Sequence, residues 1–188
     1  MQPPSEMRML SFRKVTVLSL LALLCCVQQA QATPSLAERR QAAGKLLEQP
    51  CATYAVPKIL ALAIARQESG WHPWIINVAG KDVRPRNKAE AVRVARAALR
   101  AGKSFDVGLM QINSYWIKKY RWPLEQVLDP ANNAKIGVWI LAQEIRRHGL
   151  NWKAVAYYHT PLHKNPERGK AYAQAIVRHI ASIRNNDH

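Results

Sequence analysis

The feature that most constrains this chain is an apolar segment, Pro57 to Gly70, that carries one carboxylate close to its end. Leu60, Ile64 and Glu68 are spaced four residues apart, so in a helix they share one face and the carboxylate continues an apolar ridge. Proline suits the first turn of a helix and glycine ends one. We therefore predict a helix that stops just after Glu68.

A carboxyl group in that position meets apolar side chains and the negative end of the helix dipole. Both disfavour its charged form, so we expect a raised pKa for Glu68. A carboxylic acid that stays protonated near neutral pH can donate a proton to a leaving group. For a glutamate without further context, a solvated side chain in the last turn is the simpler interpretation. The motifs that follow favour a catalytic role for Glu68.

The first 32 residues have the order of a secretory signal peptide. Three basic residues precede a largely apolar run of 13 residues, Val15 to Val27, and Ala30 and Ala32 follow it. A run of that length is short for a membrane span, which favours a cleaved leader over an anchor. We predict cleavage after Ala32, one domain over residues 33–188, and export to the periplasm of a Gram-negative cell.

The charge balance is strongly basic, with 28 Lys and Arg against 12 Asp and Glu. The leader would remove three bases and one acid, which leaves a net charge of +14 on residues 33–188. Such a charge favours anionic polymers: nucleic acid, lipid headgroups or a cell wall with peptide carboxylates. Export makes nucleic acid the less favoured of these. Of three cysteines only Cys51 follows the leader, and we expect it to be a buried free thiol.

The remaining pattern predicts an all-α fold with at most a small β-hairpin. Helical apolar spacing marks five further segments, 35–49, 88–100, 129–148, 152–159 and 168–184. Residues 114–120 give a weaker helical signal, and any hairpin would lie in the turn-rich stretch 71–86. Arg93, Arg96 and Arg100 form an outward stripe, which is more typical of a solvated or polymer-facing surface than of a sequence-specific reader of nucleic acid.

Other catalytic signatures are missing from the sequence. Ser69 lacks the Gly-x-Ser-x-Gly elbow of a serine nucleophile. His159 and His163 are four residues apart, but no further ligand pattern makes them a zinc site. The sequence has no glycine-rich phosphate loop, dinucleotide fingerprint or paired cysteine motif. We therefore expect neither a metal nor a cofactor.

Three ordered motifs make the chain resemble the soluble lytic transglycosylases. They are Glu68-Ser69-Gly70, then GLMQIN at residues 108–113, then Tyr158-His159 behind the segment 152–155. The form it resembles is the small one associated with type IV secretion, conjugation and pilus systems, and the resemblance covers roughly residues 51–183. It implies a lysozyme-like fold and cleavage of the β-1,4 bond between N-acetylmuramic acid and N-acetylglucosamine in peptidoglycan.

By this resemblance Glu68 is the one catalytic acid and base. It would protonate the glycosidic oxygen and then accept a proton from the C6 hydroxyl of muramic acid as that oxygen closes a 1,6-anhydro ring. Many glycosidases use two carboxylates, but in this reaction the substrate supplies its own nucleophile. Asp106 is the nearest candidate for a supporting carboxylate.

The other motif positions imply a set of substrate-binding residues, namely Ser69, Met110, Gln111, Asn113, Tyr158 and His159. Amide side chains can bond to sugar hydroxyls and acetamido groups, and the Tyr158 hydroxyl would lie near Glu68. The chain departs from the usual Ala-Tyr-Asn motif, because Tyr157 and His159 occupy its outer positions. A register in which Tyr157 takes the role of Tyr158 stays open.

Three alternative functions are a second type of glycan-cleaving enzyme, a binding protein and a DNA-binding protein. A goose-type-like lysozyme would use the same glutamate with water as the attacking group. A non-catalytic peptidoglycan-binding accessory protein would keep the cleft without turnover, and a basic DNA-binding protein would be indifferent to Glu68. We expect a monomer whose partners are peptidoglycan glycan strands and components of an envelope-spanning secretion, conjugation or pilus apparatus, with no nucleic acid.

Overall fold

The computed structural model describes residues 33–160 and 162–185, so the predicted signal peptide and its cleavage site lie outside the described residues. The chain divides into two units between Pro34 and Ser35, and the second unit contains all the helices and strands of the described residues. The helices are α1 Leu36–Tyr54, α2 Lys58–Ser69, α3 Lys88–Arg100, α4 Ser114–Tyr120, α5 Leu124–Val127, α6 Pro130–His148, α7 Trp152–His159 and α8 Pro166–Asn185.

Four short strands form one antiparallel sheet in the order β2-β1-β3-β4. They are β1 Ile76–Val78, β2 Lys81–Val83, β3 Phe105–Val107 and β4 Ile112–Asn113. The β1–β2 hairpin lies in the stretch where the sequence allowed one. The sheet is larger than the single hairpin that the sequence predicted. Strand β3 precedes the GLMQIN segment, β4 is formed by its last two residues, and β3 pairs with both β4 and β1. The mostly helical class is confirmed.

The start of α1 follows local capping rules, whereas its end does not. Ser35 caps the helix and exchanges bonds with Glu38 in a capping box. The predicted end near residue 49 is wrong, since the helix continues through Pro50 to Tyr54. Pro50 and Cys51 are both buried on the core side, so apolar burial offsets the hydrogen bond that proline cannot make.

Helix α2 is the centre of the core. Seven of its twelve residues are buried, including the fully buried Ala61, Ala63, Ile64 and Ala65. It packs against α1 and α8, α6 packs against α1 and α7, and α7 packs against α8. This packing places α2 against α8, although the two helices are far apart in the sequence. None of the helices in the described part of the chain combines the length and apolar character that a bilayer span requires.

Candidate active site

Glu68 lies in the last turn of α2, where the sequence predicted it. Gly70 has φ +59°, and its N–H donates to the carbonyls of Ala65 and Arg66, which ends the helix in the left-handed conformation that glycine tolerates. Behind Glu68 the helix is apolar and buried, and the side chain of Glu68 is only 12% exposed. Its carboxyl group reaches a cleft of about 1550 Å³.

The environment of Glu68 favours the protonated carboxyl. Burial raises its pKa from 4.5 to about 7, and the negative charge of Asp106 adds to this. The Tyr172 hydroxyl acts in the opposite direction, because it donates a 2.5 Å hydrogen bond to Oε1 of Glu68. The raised pKa expected from the sequence is therefore found, with desolvation as the main cause. Near neutral pH this carboxyl can exist in either form.

Tyr172 of α8 is a site residue that the sequence analysis missed, because its position is the one expected of a core residue on the inward face of the last helix. Its ring is 6% exposed and its hydroxyl is bonded to Glu68. Burial and the nearby carboxylate raise the pKa of Tyr172 well above its ordinary value, so the hydroxyl stays a donor. A buried tyrosine in an apolar helical stripe needs a partner for its hydroxyl, and that was the available signal.

His159 covers the other side of this tyrosine. The two rings stack with their centroids 4.5 Å apart and an interplanar angle of 6°. Nδ1 of His159 lies 3.9 Å from Oε1 of Glu68, which is too long for a hydrogen bond. Burial lowers the pKa of His159, and the positive charge of Arg168 lowers it further. The neutral imidazole is therefore the favoured form at neutral pH.

Ser69 takes a structural position instead of the predicted substrate-binding one. It is 5% exposed, and its hydroxyl lies 2.8 Å from the Leu109 carbonyl and 3.0 Å from the Ala65 carbonyl, so it donates to one of these acceptors at a time. Its side chain does not contribute to the wall of the cleft. Ser69 instead fastens the end of α2 to the GLMQIN segment, which places the second motif beside Glu68.

The GLMQIN segment is held from below by Asn133 of α6, which the sequence reasoning also missed. Asn133 is fully buried, accepts a 2.8 Å bond from the Met110 N–H, and donates 3.0 Å bonds to the Val107 and Val127 carbonyls. Gly108 has φ +83°, and a Cβ there would lie 2.3 Å from the Asn133 amide. The first residue of the motif is therefore glycine for both conformational and steric reasons.

Met110 is buried beneath the cleft, although the resemblance implies that it is one of the substrate-binding residues. Its side chain is fully buried and packs against Gly137, where a Cβ would lie 2.4 Å from the Met110 Cβ. The Met110 carbonyl accepts a 2.8 Å hydrogen bond from the Tyr158 hydroxyl. Met110 therefore supports the site through its backbone and its packing, and its side chain is absent from the cleft wall.

Gln111 and Asn113, which the resemblance implies are substrate-binding residues, line the cleft. Gln111 has φ +46°, and its amide group donates to the Ile75 and Gly108 carbonyls, both at 3.0 Å, which holds this unusual backbone conformation. Asn113 caps α4 through its Oδ1 and donates a 2.7 Å bond to Asp106. Most of their hydrogen-bonding capacity is thus used within the protein.

The third motif offers two tyrosines, and their surroundings differ. Burial raises the pKa of Tyr158, and the charges of Glu68 and Asp106 raise it further. Tyr157 instead stacks on His148, with ring centroids 4.3 Å apart. The arrangement favours the register in which Tyr158 is the motif tyrosine.

The cleft wall combines these groups with further polar and charged ones. Besides Glu68 it includes Asp106, Gln111, Asn113, Tyr157, Tyr158, His159, Lys164 and Arg168. Burial raises the pKa of Asp106, whereas the Asn113 bond and the Arg168 charge act against this. Within residues 33–160 and 162–185 no group of three His, Cys, Asp or Glu side chains is placed to hold a metal ion. Cys51 is buried and free, and burial raises its pKa to about 11.

A mostly helical domain with a buried, protonatable glutamate at a helix end that opens into a large cleft has the characteristics of a lysozyme-like domain. Residues 45–179 match the model of the Transglycosylase SLT domain family, and the chain belongs to this family. The family and the lysozyme-like fold predicted from the three motifs are thereby confirmed.

The chain is also similar to curated proteins of type IV secretion. It is 36% identical over 104 residues to the type IV secretion system protein virB1 of Brucella abortus and to that of Brucella suis, which covers 54% of this chain. It is 44% identical over 66 residues, 34% of this chain, to protein virB1 of Agrobacterium fabrum. The matches span 43% of the Brucella proteins and 26% of the Agrobacterium protein, less than half of each relative's length.

Proposed function

We propose that this protein is an exported peptidoglycan lytic transglycosylase that opens the wall locally for a type IV secretion, conjugation or pilus apparatus. The observation that carries the proposal is Glu68, a buried carboxyl with a pKa of about 7 at the edge of a long cleft. Membership of the SLT family supports the reaction class. The type IV secretion relatives support the biological setting.

The first chemical step needs a proton donor. At neutral pH a large fraction of Glu68 carries its proton, because burial disfavours the carboxylate. Glu68 donates this proton to the glycosidic oxygen while the bond from that oxygen to C1 of the muramic acid breaks. The Tyr172 bond to Oε1 fixes the orientation of the carboxyl and stabilises the carboxylate that forms.

The second step needs a base and a nucleophile. The Glu68 carboxylate accepts the proton of the muramic C6 hydroxyl, and O6 forms the new bond to C1, which closes the 1,6-anhydro ring and regenerates the acid. Because the nucleophile belongs to the substrate, no second catalytic carboxylate is required. Asp106 raises the pKa of Glu68 through its charge and bonds to Asn113, which is a supporting role.

Binding to the wall draws on the cleft and on the charge of the domain. Tyr158, His159, Gln111 and Asn113 line the cleft where sugar rings would lie. The excess of basic residues attracts a polymer that carries peptide carboxylates. Export rests on the predicted signal peptide, and the periplasm is the compartment in which this substrate and a type IV apparatus meet.

Mass spectrometry of muropeptides tests the reaction. Purified sacculi are incubated with the parent protein, with Glu68→Gln, and with Glu125→Gln as a matched control, since Glu125 is an exposed carboxylate that pairs with Arg96. We expect 1,6-anhydro-muramyl products from the parent and the control and none from Glu68→Gln. Products with free reducing ends would identify a lysozyme instead. Absence of products from the parent together with tight wall binding would identify a non-catalytic binding protein.

A further inference from the structure

Four aromatic side chains of the segment 115–122 form a continuous row, which we call the aromatic ledge: Tyr115, Trp116, Tyr120 and Trp122. Successive ring centroids lie 5.3, 6.0 and 4.8 Å apart along this row. Trp139 of α6 supports the row from beneath through edge contacts to three of its rings at 5.7 to 6.3 Å. The ledge is therefore a rigid surface whose rings hold one another in place.

Two rings of the ledge are exposed, whereas Trp116 and Trp122 are partly buried against the core. Tyr115 is 59% exposed and Tyr120 is 41% exposed. Tyr115 contacts only the edge of Trp116 within the ledge, so its ring adds little to the attachment of α4 to α6. Large aromatic rings held rigidly at the surface are typical of recognition sites.

Lys119 places a positive charge on the same surface. Its ammonium lies 5.1 to 5.6 Å from the ring centroids of Tyr115, Trp116 and Tyr120. Within the described residues, 33–160 and 162–185, Lys119 forms an ion pair with no carboxylate. Its donors and its charge are consequently available to an anionic group on a ligand.

The ledge continues the cleft that contains Glu68. Tyr115, Trp116 and Lys119 are part of the cleft wall. At the far end of the ledge, Trp122 and Trp139 line a separate pocket of about 320 Å³ that also has the polar side chains of Gln126, Asn132 and Lys135. A polymer that leaves the cleft at Tyr115 would therefore meet aromatic rings first and amide and ammonium groups next.

We propose that the aromatic ledge and Lys119 bind the peptidoglycan strand along the α4 side of the cleft wall and past its end, at sugars and peptide stems other than those joined by the cleaved bond. The apolar faces of the sugar rings pack on the aromatic rings. The carboxylates of the peptide stems pair with Lys119. The inference rests on the proposed function only in taking peptidoglycan as the polymer. Its consequence is that affinity for long strands depends on side chains that take no part in the chemistry at Glu68.

The test measures binding of fluorescently labelled protein to sacculi in the Glu68→Gln background, so that the wall stays intact during the assay. Tyr115→Ala removes the most exposed ring of the ledge, and Tyr115→Trp restores an aromatic surface. Trp152→Ala is the matched control, because Trp152 is an equally exposed aromatic residue, 59%, away from the cleft wall and the ledge. Thermal melting of each variant is recorded alongside.

We expect Tyr115→Ala to bind about fivefold more weakly than the control, the equivalent of one lost aromatic contact, and Tyr115→Trp to bind like the parent. Lys119→Gln, an exposed substitution that leaves the rings intact, should weaken binding to intact sacculi and flatten its salt dependence. The same variant should bind glycan strands freed of peptides by an amidase as well as the parent does.

Equal binding of Tyr115→Ala and Trp152→Ala to sacculi would overturn the ledge as a glycan site. Equal effects of Lys119→Gln on peptide-bearing and peptide-free strands would overturn the pairing with stem carboxylates. Muropeptide analysis of the parent reports cleavage separately. Missing anhydro products therefore refute the proposed reaction, and unchanged binding of the ledge variants refutes the ledge.

Discussion

Glu68→Gln should make the protein more stable at alkaline pH while it abolishes turnover. The folded protein holds the Glu68 carboxyl with a pKa of about 7, whereas the ordinary value is 4.5. Below pH 4.5 the carboxyl is protonated in the folded and the unfolded chain, so it contributes no pH dependence. Between pH 4.5 and 7 only the unfolded chain releases the proton, and the free energy of unfolding of the parent falls as the pH rises.

The size of this loss follows from the same pKa values. Each pKa unit corresponds to about 1.4 kcal/mol, so the ionised Glu68 costs the folded state about 3 kcal/mol above pH 7. Glutamine cannot ionise, and its Oε1 can still accept the Tyr172 bond. The difference in free energy of unfolding between Glu68→Gln and the parent should therefore increase by about 3 kcal/mol from about pH 4 to pH 8.

Urea unfolding followed by circular dichroism at several pH values and constant ionic strength measures this difference. Groups that titrate equally in both proteins contribute equally to their free energies of unfolding, so these contributions cancel in the difference. Glu125→Gln serves as the matched control, because it removes a carboxylate that is 47% exposed and not a buried one. A difference for Glu68→Gln that stays constant over the same pH range would refute the argument, since it would mean that the Glu68 carboxyl has an ordinary pKa.

Two further predictions concern the residues that the sequence reasoning missed. Tyr172→Phe removes a donor that stabilises the Glu68 carboxylate, so we expect a further rise in the pKa of Glu68, a shift of the pH–activity profile to higher pH, and about tenfold lower kcat; an unchanged profile in an otherwise folded variant would contradict this role. Asn133→Ala removes the buried side-chain partner of three backbone groups and should lower the free energy of unfolding by about 3 kcal/mol. Asn132→Ala, at an exposed position, should change it little. Equal urea midpoints for the two variants would contradict the supporting role of Asn133.

The helix bounds that depend on neighbouring residues could be read from the sequence. Helix α2 ends at Gly70 and the helix predicted over 129–148 begins where expected, with Asp129 as its cap and Pro130 in its first turn. The prediction failed at Pro50, where burial in the core overrides the local preference of proline. It also underestimated the sheet, because β1 pairs with β3 across the whole of α3 and no short-range pattern specifies that pairing.

In the candidate site, too, features set by neighbouring residues could be predicted from the sequence, whereas those set by distant residues could not. The sequence by itself determined that Glu68 follows an apolar face to the end of a helix, because that placement depends on residues within two turns. Only the tertiary structure decided which groups surround it: Tyr172 reaches Glu68 from 104 residues away, and Asn133 holds Met110 from 23 residues away. It also turned Ser69 and Met110 inward. A motif specifies which residue types stand at fixed positions of the chain, whereas packing between distant helices determines which residues meet and which side chains face the substrate.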